Sequence, residues 1–204
     1  MVGPLPGATE SSLLIPLPCN EWGGHVDAAG AGRRFVAIDV ETTGMSPVRG
    51  DRVIEVAATI IEGTRICDEF SSLICVDCSI HPAAQKVHGI DGAMLREAPP
   101  PDDVWPRFAR FISGAPLLAH NASFDLSFLR HEFSRLGQAF FNPHHCTLAL
   151  SRRLLPHLPN HRLETVARHL LGGIPQDCRL HRALDDARLV ALVWLEMEKR
   201  RGPG

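Results

Sequence analysis

FVAIDVETTG, residues 35–44, sets two acids, Asp39 and Glu41, inside a run that otherwise has the β-branched, apolar character of a buried strand. On a strand, residues i and i+2 share a face, so these two point the same way, about 6.6 Å apart along the chain, while Val40 points oppositely. Two carboxylates about 4 Å apart repel by roughly 4 kcal/mol at an effective dielectric of 20, before the cost of desolvation. Something must neutralise them. One reading is a structural pair, with one acid accepting backbone hydrogen bonds and the other meeting an arginine. The Thr42-Thr43-Gly44 that follows favours a ligand site instead. A glycine turn at a strand end permits close backbone approach and sets two hydroxyls beside the acids, which suits phosphate or sugar oxygens.

Outward from this strand, which the pattern places at Arg34 to Glu41, VIEVAATIIEG (53–63) and TRICDEFSSLICV (64–76) read as two more strands joined in a hairpin near Gly63. Beyond Pro82 the chain turns helical. PPPDDVWPRFARFISG (99–114) has an acidic start and then Val104, Phe108, Phe111 and Ile112 at helical spacing. PLLAH (116–120) is a short strand. The next helix runs through Phe124, Phe128, Leu129, Phe133 and Leu136, with Asn121 as its cap. Further helices fit Leu148 to Leu155, His161 to Leu171 and Ala183 to Arg200. A strand meander followed by strands alternating with helices implies a mixed sheet covered by helices, an α/β layer architecture.

With 204 residues, 45% of them hydrophobic, the chain has material for one core and one domain, expected over 33–204. Residues 1–32, rich in Gly, Pro, Ala and Ser, read as a disordered N-terminal tail. Their SSLLIPLP patch follows no basic residue and is cut by prolines, so it does not read as an export signal. No apolar stretch reaches the roughly 18 residues of a membrane span. The six scattered cysteines fit a reduced, cytoplasmic setting. Among them Cys75 and Cys78 form a single CxxC, at the end of the third strand, with no second pair at zinc spacing. The net charge of −2 divides unevenly, −7 over residues 1–129 and +5 over 130–204. Phosphate contacts to a polyanion would therefore fall mainly to the C-terminal part.

Two further patches carry acids. In HNASFD (120–125) a strand ends and a helix begins, and Asp125 in the first turn suits the helix dipole. In HRALDDA (181–187) His181 and Asp186 are five apart, about 140° around a continuous helix. They share a site only if His181 precedes the helical geometry, on a loop or cap, with small Ala183 allowing close packing.

In this order, DVETTGM (39–45), HNASFD and HRALDDA resemble the three motifs of the DnaQ-like DEDDh family of 3′–5′ exonucleases, which includes the proofreading subunits of bacterial DNA polymerase III. The resemblance covers roughly residues 33–200. It implies a ribonuclease H-like α/β fold with a five-stranded mixed sheet flanked by helices. It also implies two Mg²⁺ or Mn²⁺ ions, held by Asp39, Glu41, Asp125 and Asp186. In that scheme Asp39 is shared by both ions, Glu41 and Asp186 serve the water-activating one, Asp125 supports the other, and His181 removes a proton from the attacking water. Asp186 rather than Asp185 is selected by the family's spacing from the histidine, which leaves Asp185 solvated on the first helical turn. VHGID (87–91) matches a segment in which relatives carry a substrate-contacting histidine, here His88. The terminal nucleotide would be held by Glu41, by the backbone of Thr42, Thr43 and Gly44, and by His88. Phe124 would pack on its sugar or base, or serve as an ordinary core aromatic.

The implied activity is release of nucleoside 5′-monophosphates from single-stranded or frayed DNA 3′ ends. An exoribonuclease of the ribonuclease T or oligoribonuclease type is the enzymatic alternative, and an inactive nuclease-derived binding module is the other. A DNA polymerase or sliding clamp is the implied protein partner, but the sequence ends at Gly204 without a polymerase-binding tail, which argues against attachment.

Overall fold

The computed structural model describes residues 33–201, so the expected N-terminal tail and Cys19 lie outside the described residues. Strands β1 (Arg34–Thr42), β2 (Val53–Glu62) and β3 (Arg65–Leu73) form the expected antiparallel meander, with Gly63 at positive φ in the tight turn between the last two. Strands β4 (Leu117–Ala119) and β5 (His144–Cys146) add in parallel beyond β1, giving a five-stranded mixed sheet of order β3-β2-β1-β4-β5.

Seven helices complete the described chain: α1 (Pro82–His88), α2 (Gly92–Arg96), α3 (Pro101–Phe111), α4 (Ala122–Arg135), α5 (Thr147–Leu154), α6 (Leu163–Leu171) and α7 (Ala183–Arg201). None of them is long and apolar enough to cross a membrane. Three expectations need correction. Cys75 and Cys78 lie past the end of β3, not on it. Asn121 sits at the cap position of α4 but in left-handed backbone (φ 74°), and its side chain makes no cap bond there. Its carbonyl oxygen instead accepts from the Ser123 hydroxyl. Asp185, expected in solvent, is buried.

The period-two alternation of β1 sorts its side chains between two helical layers. Val36, Ile38 and Val40 enter the main core with Val104, Trp105 and Phe108 of α3 and Leu126, Phe128 and Leu129 of α4. Phe35 and Ala37 face the other way, onto Val190, Ala191 and Trp194 of α7, with Phe35 and Trp194 ring centroids 5.1 Å apart. Asp39 and Glu41 continue this second row towards the N-terminus of α7. There Ala183 and Ala187 pack on Ala57 of β2, and these small side chains let the helix approach the sheet closely.

Candidate active site

The acids of β1 meet the rest of the site at the C-terminal end of that strand. Glu41, His181 and Asp186 offer ligand atoms that all lie within 4.8 Å of one another. Asp39 and Asp125 stand outside this tight group but within electrostatic reach of it. Loss of hydration first, and then the neighbouring Asp125, Asp186, Glu41 and Glu55, push the Asp39 carboxyl well above the usual range. Burial likewise drives Glu41 up to about 8, with Asp186 and Glu55 adding to it. Asp125 rises to about 8 from burial, against the pull of its own amide and that of Val40. Asp186 rises to about 6 from burial, opposed by the backbone and charge of His181.

His181 is exposed and precedes α7 in left-handed backbone (φ 62°). Its amide donates to Asp186 Oδ2 at 3.0 Å, so the turn folds back on the helix start and overcomes the 140° divergence of a regular helix. Asp185 faces away from this cluster. It accepts from the Arg179 amide (3.0 Å) and pairs with Arg188, which also grips Glu69 of β3 (Nε to Oε1, 2.7 Å).

The Thr42–Gly44 turn is fixed from within. The Thr42 hydroxyl donates to the Gly44 carbonyl (2.6 Å), and Thr43 Oγ1 accepts from the Arg52 amide (2.9 Å). Both threonines are buried, and their side chains build the turn. Gly44 is required by a neighbour in the chain: a Cβ there would come 2.6 Å from Asp51 Cγ, whose Oδ2 accepts from the Ser46 amide at 2.8 Å. His88 is buried, with Nδ1 accepting from the Ile90 amide (3.0 Å) and Nε2 left without a hydrogen-bond partner. Burial lowers its pKa, and Glu55, Arg182 and His181 are among the charges acting on it, which places it beside the site. Phe124 is half-buried against the main core, 5.0 Å from Phe128 between ring centroids.

Sequence reasoning missed several supporting residues. His120 ties the second motif to the chain beyond β5: Nε2 donates to the His161 carbonyl (2.8 Å) and Nδ1 faces Thr147 Oγ1 (3.0 Å). Glu55 lies opposite Glu41 in the β1–β2 register and is gripped by Arg182 (Nη2 to Oε1, 2.7 Å). Glu132, buried in α4, is gripped by Arg52 (Nε to Oε1, 2.7 Å) and the Val53 amide. The signal for Glu55 was the one read at Asp39: a carboxylate within an apolar strand run.

A family model described as an exonuclease (RNase T) matches residues 36–194. A DNA polymerase III PolC-type protein of Caldanaerobacter subterraneus subsp. tengcongensis is 37% identical over 80% of this chain and 11% of its own length. A DNA polymerase III subunit epsilon-like protein of Rhodobacter capsulatus is 39% identical over 80% of this chain and 23% of its own. The chain thus spans less than a quarter of either relative. Among solved structures, Exonuclease X in complex with 5′ overhanging duplex DNA superposes with a TM-score of 0.67 at 28% identity, covering 83% of this chain and 94% of that one.

Proposed function

Since the chain belongs to the RNase T exonuclease family and is a DnaQ-like 3′–5′ exonuclease of ribonuclease H-like fold, we propose that it removes nucleoside 5′-monophosphates one at a time from DNA 3′ ends, using two divalent cations and His181 as general base. The carrying observation is the convergence of Asp39, Glu41, Asp125 and Asp186, with no basic side chain among the described residues bound to the first three, beside an exposed histidine. The names of both curated relatives refer to DNA polymerase III, which supports DNA over RNA as the substrate.

The donor set fits hard cations. It is dominated by carboxylate oxygens, the preference of Mg²⁺ and Mn²⁺, and burial with mutual repulsion leaves those oxygens short of positive charge. Asp39 would be shared by both ions, Glu41 and Asp186 would hold the one on the water side, and Asp125 would support the other. Bound there, such ions polarise a phosphoryl oxygen and lower the pKa of a water.

The protein's own groups supply position and proton transfer. The buried Thr42–Gly44 turn offers a backbone edge for the terminal nucleotide, and His88 lies beside the Thr42 backbone at the same end of the sheet. His181, exposed on the turn before α7, takes a proton from the attacking water. The near-neutral sequence pI of about 6.6 suits short or frayed ends better than tight binding to long duplex.

The test uses matched single-stranded DNA and RNA oligomers labelled at either end, with Mg²⁺, Mn²⁺ or chelator. A 3′-labelled DNA strand should lose its label as a mononucleotide in the first turnovers, and chelator should stop this. Release from the 5′ end, or chelator-resistant activity, would overturn the proposal, and faster turnover of the RNA strand would make the enzyme an exoribonuclease.

A further inference from the structure

A fifth carboxylate, Glu55, stands beside the four and is 3% exposed, yet its environment is of another kind. It faces Glu41 across the β1–β2 ladder, a position where like charges destabilise a sheet. Both of its oxygens are already engaged. Oε1 accepts from Arg182 Nη2 at 2.7 Å, while Oε2 accepts from Arg182 Nε at 3.2 Å and from the Ala183 amide at 3.1 Å. A carboxylate so occupied has most of its lone-pair sites taken and its charge already matched by a guanidinium.

Arg182 is the residue after His181 and comes immediately before the first residue of α7. Holding its guanidinium and the Ala183 amide on β2 therefore fixes the chain on one side of the histidine. On the other side, the Arg179 amide is held by Asp185 at 3.0 Å, and the His181 amide is held by Asp186 at the same distance. Of these anchors, only the Glu55 pair reaches from this turn to the sheet that carries Asp39 and Glu41. From this geometry we infer that Glu55 and Arg182 are positioning residues for the reaction, fixing His181 in its left-handed turn against β1 and keeping Glu55 out of the metal-ligand set. The inference rests on the nuclease reading of the site. A purely structural staple between β2 and α7 is the competing role.

The two roles separate in kinetics of Mn²⁺-dependent mononucleotide release by the full chain. Arg182→Gln should lower kcat by about 10- to 100-fold, the scale of a misplaced catalytic group, with KM for the DNA oligomer changed by less than about threefold. Arg182→Lys keeps the charge without the two-pronged grip and should recover to within about tenfold of the parent. In a His181→Ala background, Arg182→Gln should add less than about a twofold further loss, because the histidine through which it acts is gone. Glu55→Gln preserves the shape and an acceptor for the Ala183 amide, and serves as the second variant should Arg182→Gln fold poorly; the same pattern is expected.

A kcat within about twofold of the parent for both single variants would overturn the inference, as would a full additional loss in the His181→Ala background. Asp39→Asn is the control. If it turns over normally, the reading of the whole site fails; if it is inactive while Arg182→Gln and Glu55→Gln are normal, only the positioning role fails.

Discussion

Two sets of buried or half-buried acids lie within a few residues of each other and are treated in opposite ways. Glu55, Glu132 and Asp185 each meet an arginine: Arg182, Arg52 and Arg188. Asp39, Glu41 and Asp125 have no such partner among the described residues, and their carboxyls are driven upward by burial and by neighbouring acids. The chain thus has the means to neutralise an acid in its interior and uses them at three positions. Leaving the others bare is a local choice with an energetic cost, which is why the proposed function assigns the cations to the end of β1.

The sharpest way to break this contrast is Asp39→Asn. Turnover should fall to background in the mononucleotide assay, while the melting temperature of the metal-free protein at pH 8 should rise by roughly 2–8 °C as repulsion is relieved. The opposite arm is Glu132→Ala, which leaves Arg52 half-buried without its counter-ion. Chemical denaturation should show a loss of about 3–5 kcal/mol.

A third, smaller effect follows from titration. Glu41 and Asp125 hold protons up to about pH 8 in the folded chain, whereas unfolded carboxyls release them near pH 4. Between those values the folded form binds more protons, so the stability of the metal-free protein falls as pH rises from about 4 and levels off above about 8. A series of melting curves in chelator should show this slope, and millimolar Mn²⁺ should flatten it; a metal-free protein equally stable at pH 5 and pH 8 would count against the bare-acid picture. The smallest expected effect is at Gly44. Gly44→Ala forces a Cβ against the Asp51 carboxyl and should lower stability by about 1–3 kcal/mol. Under the proposed function, in which the turn presents backbone to the substrate, it should also raise KM more than it lowers kcat.

Much of this was legible in the sequence where one periodicity dominated. The continuous apolar runs of β1 and β2, strands buried on both faces, and the apolar spacing of α3 and α4 marked those elements nearly to the residue. β5 escaped because it is three residues long, reads His-His-Cys, and lies on a sheet edge, so it carries no burial pattern. At the candidate site, the requirement that His181 leave the helix followed from angular arithmetic, and the left-handed φ is how the chain meets it. Asp185 was misread because helix position alone was used to place it. Its partners Arg179 and Arg188 come from a loop and the same helix, Arg188 is held in turn by Glu69 of a distant strand, and no local pattern joins them. The part the threonine hydroxyls play in the turn was not legible for a similar reason: their partners are atoms two to nine residues away.

The φ of 62° at His181 bears on how freely this position can vary. Left-handed backbone costs most L-residues about 1 kcal/mol or more and costs glycine nothing, with asparagine between them. A library randomised at codon 181 and sorted only for soluble, folded protein should therefore drift towards glycine and asparagine. The same library sorted for growth on the enzyme's output should return to imidazole. The distance between those two winners would measure how far selection for chemistry has pulled one residue away from what its peptide bond prefers.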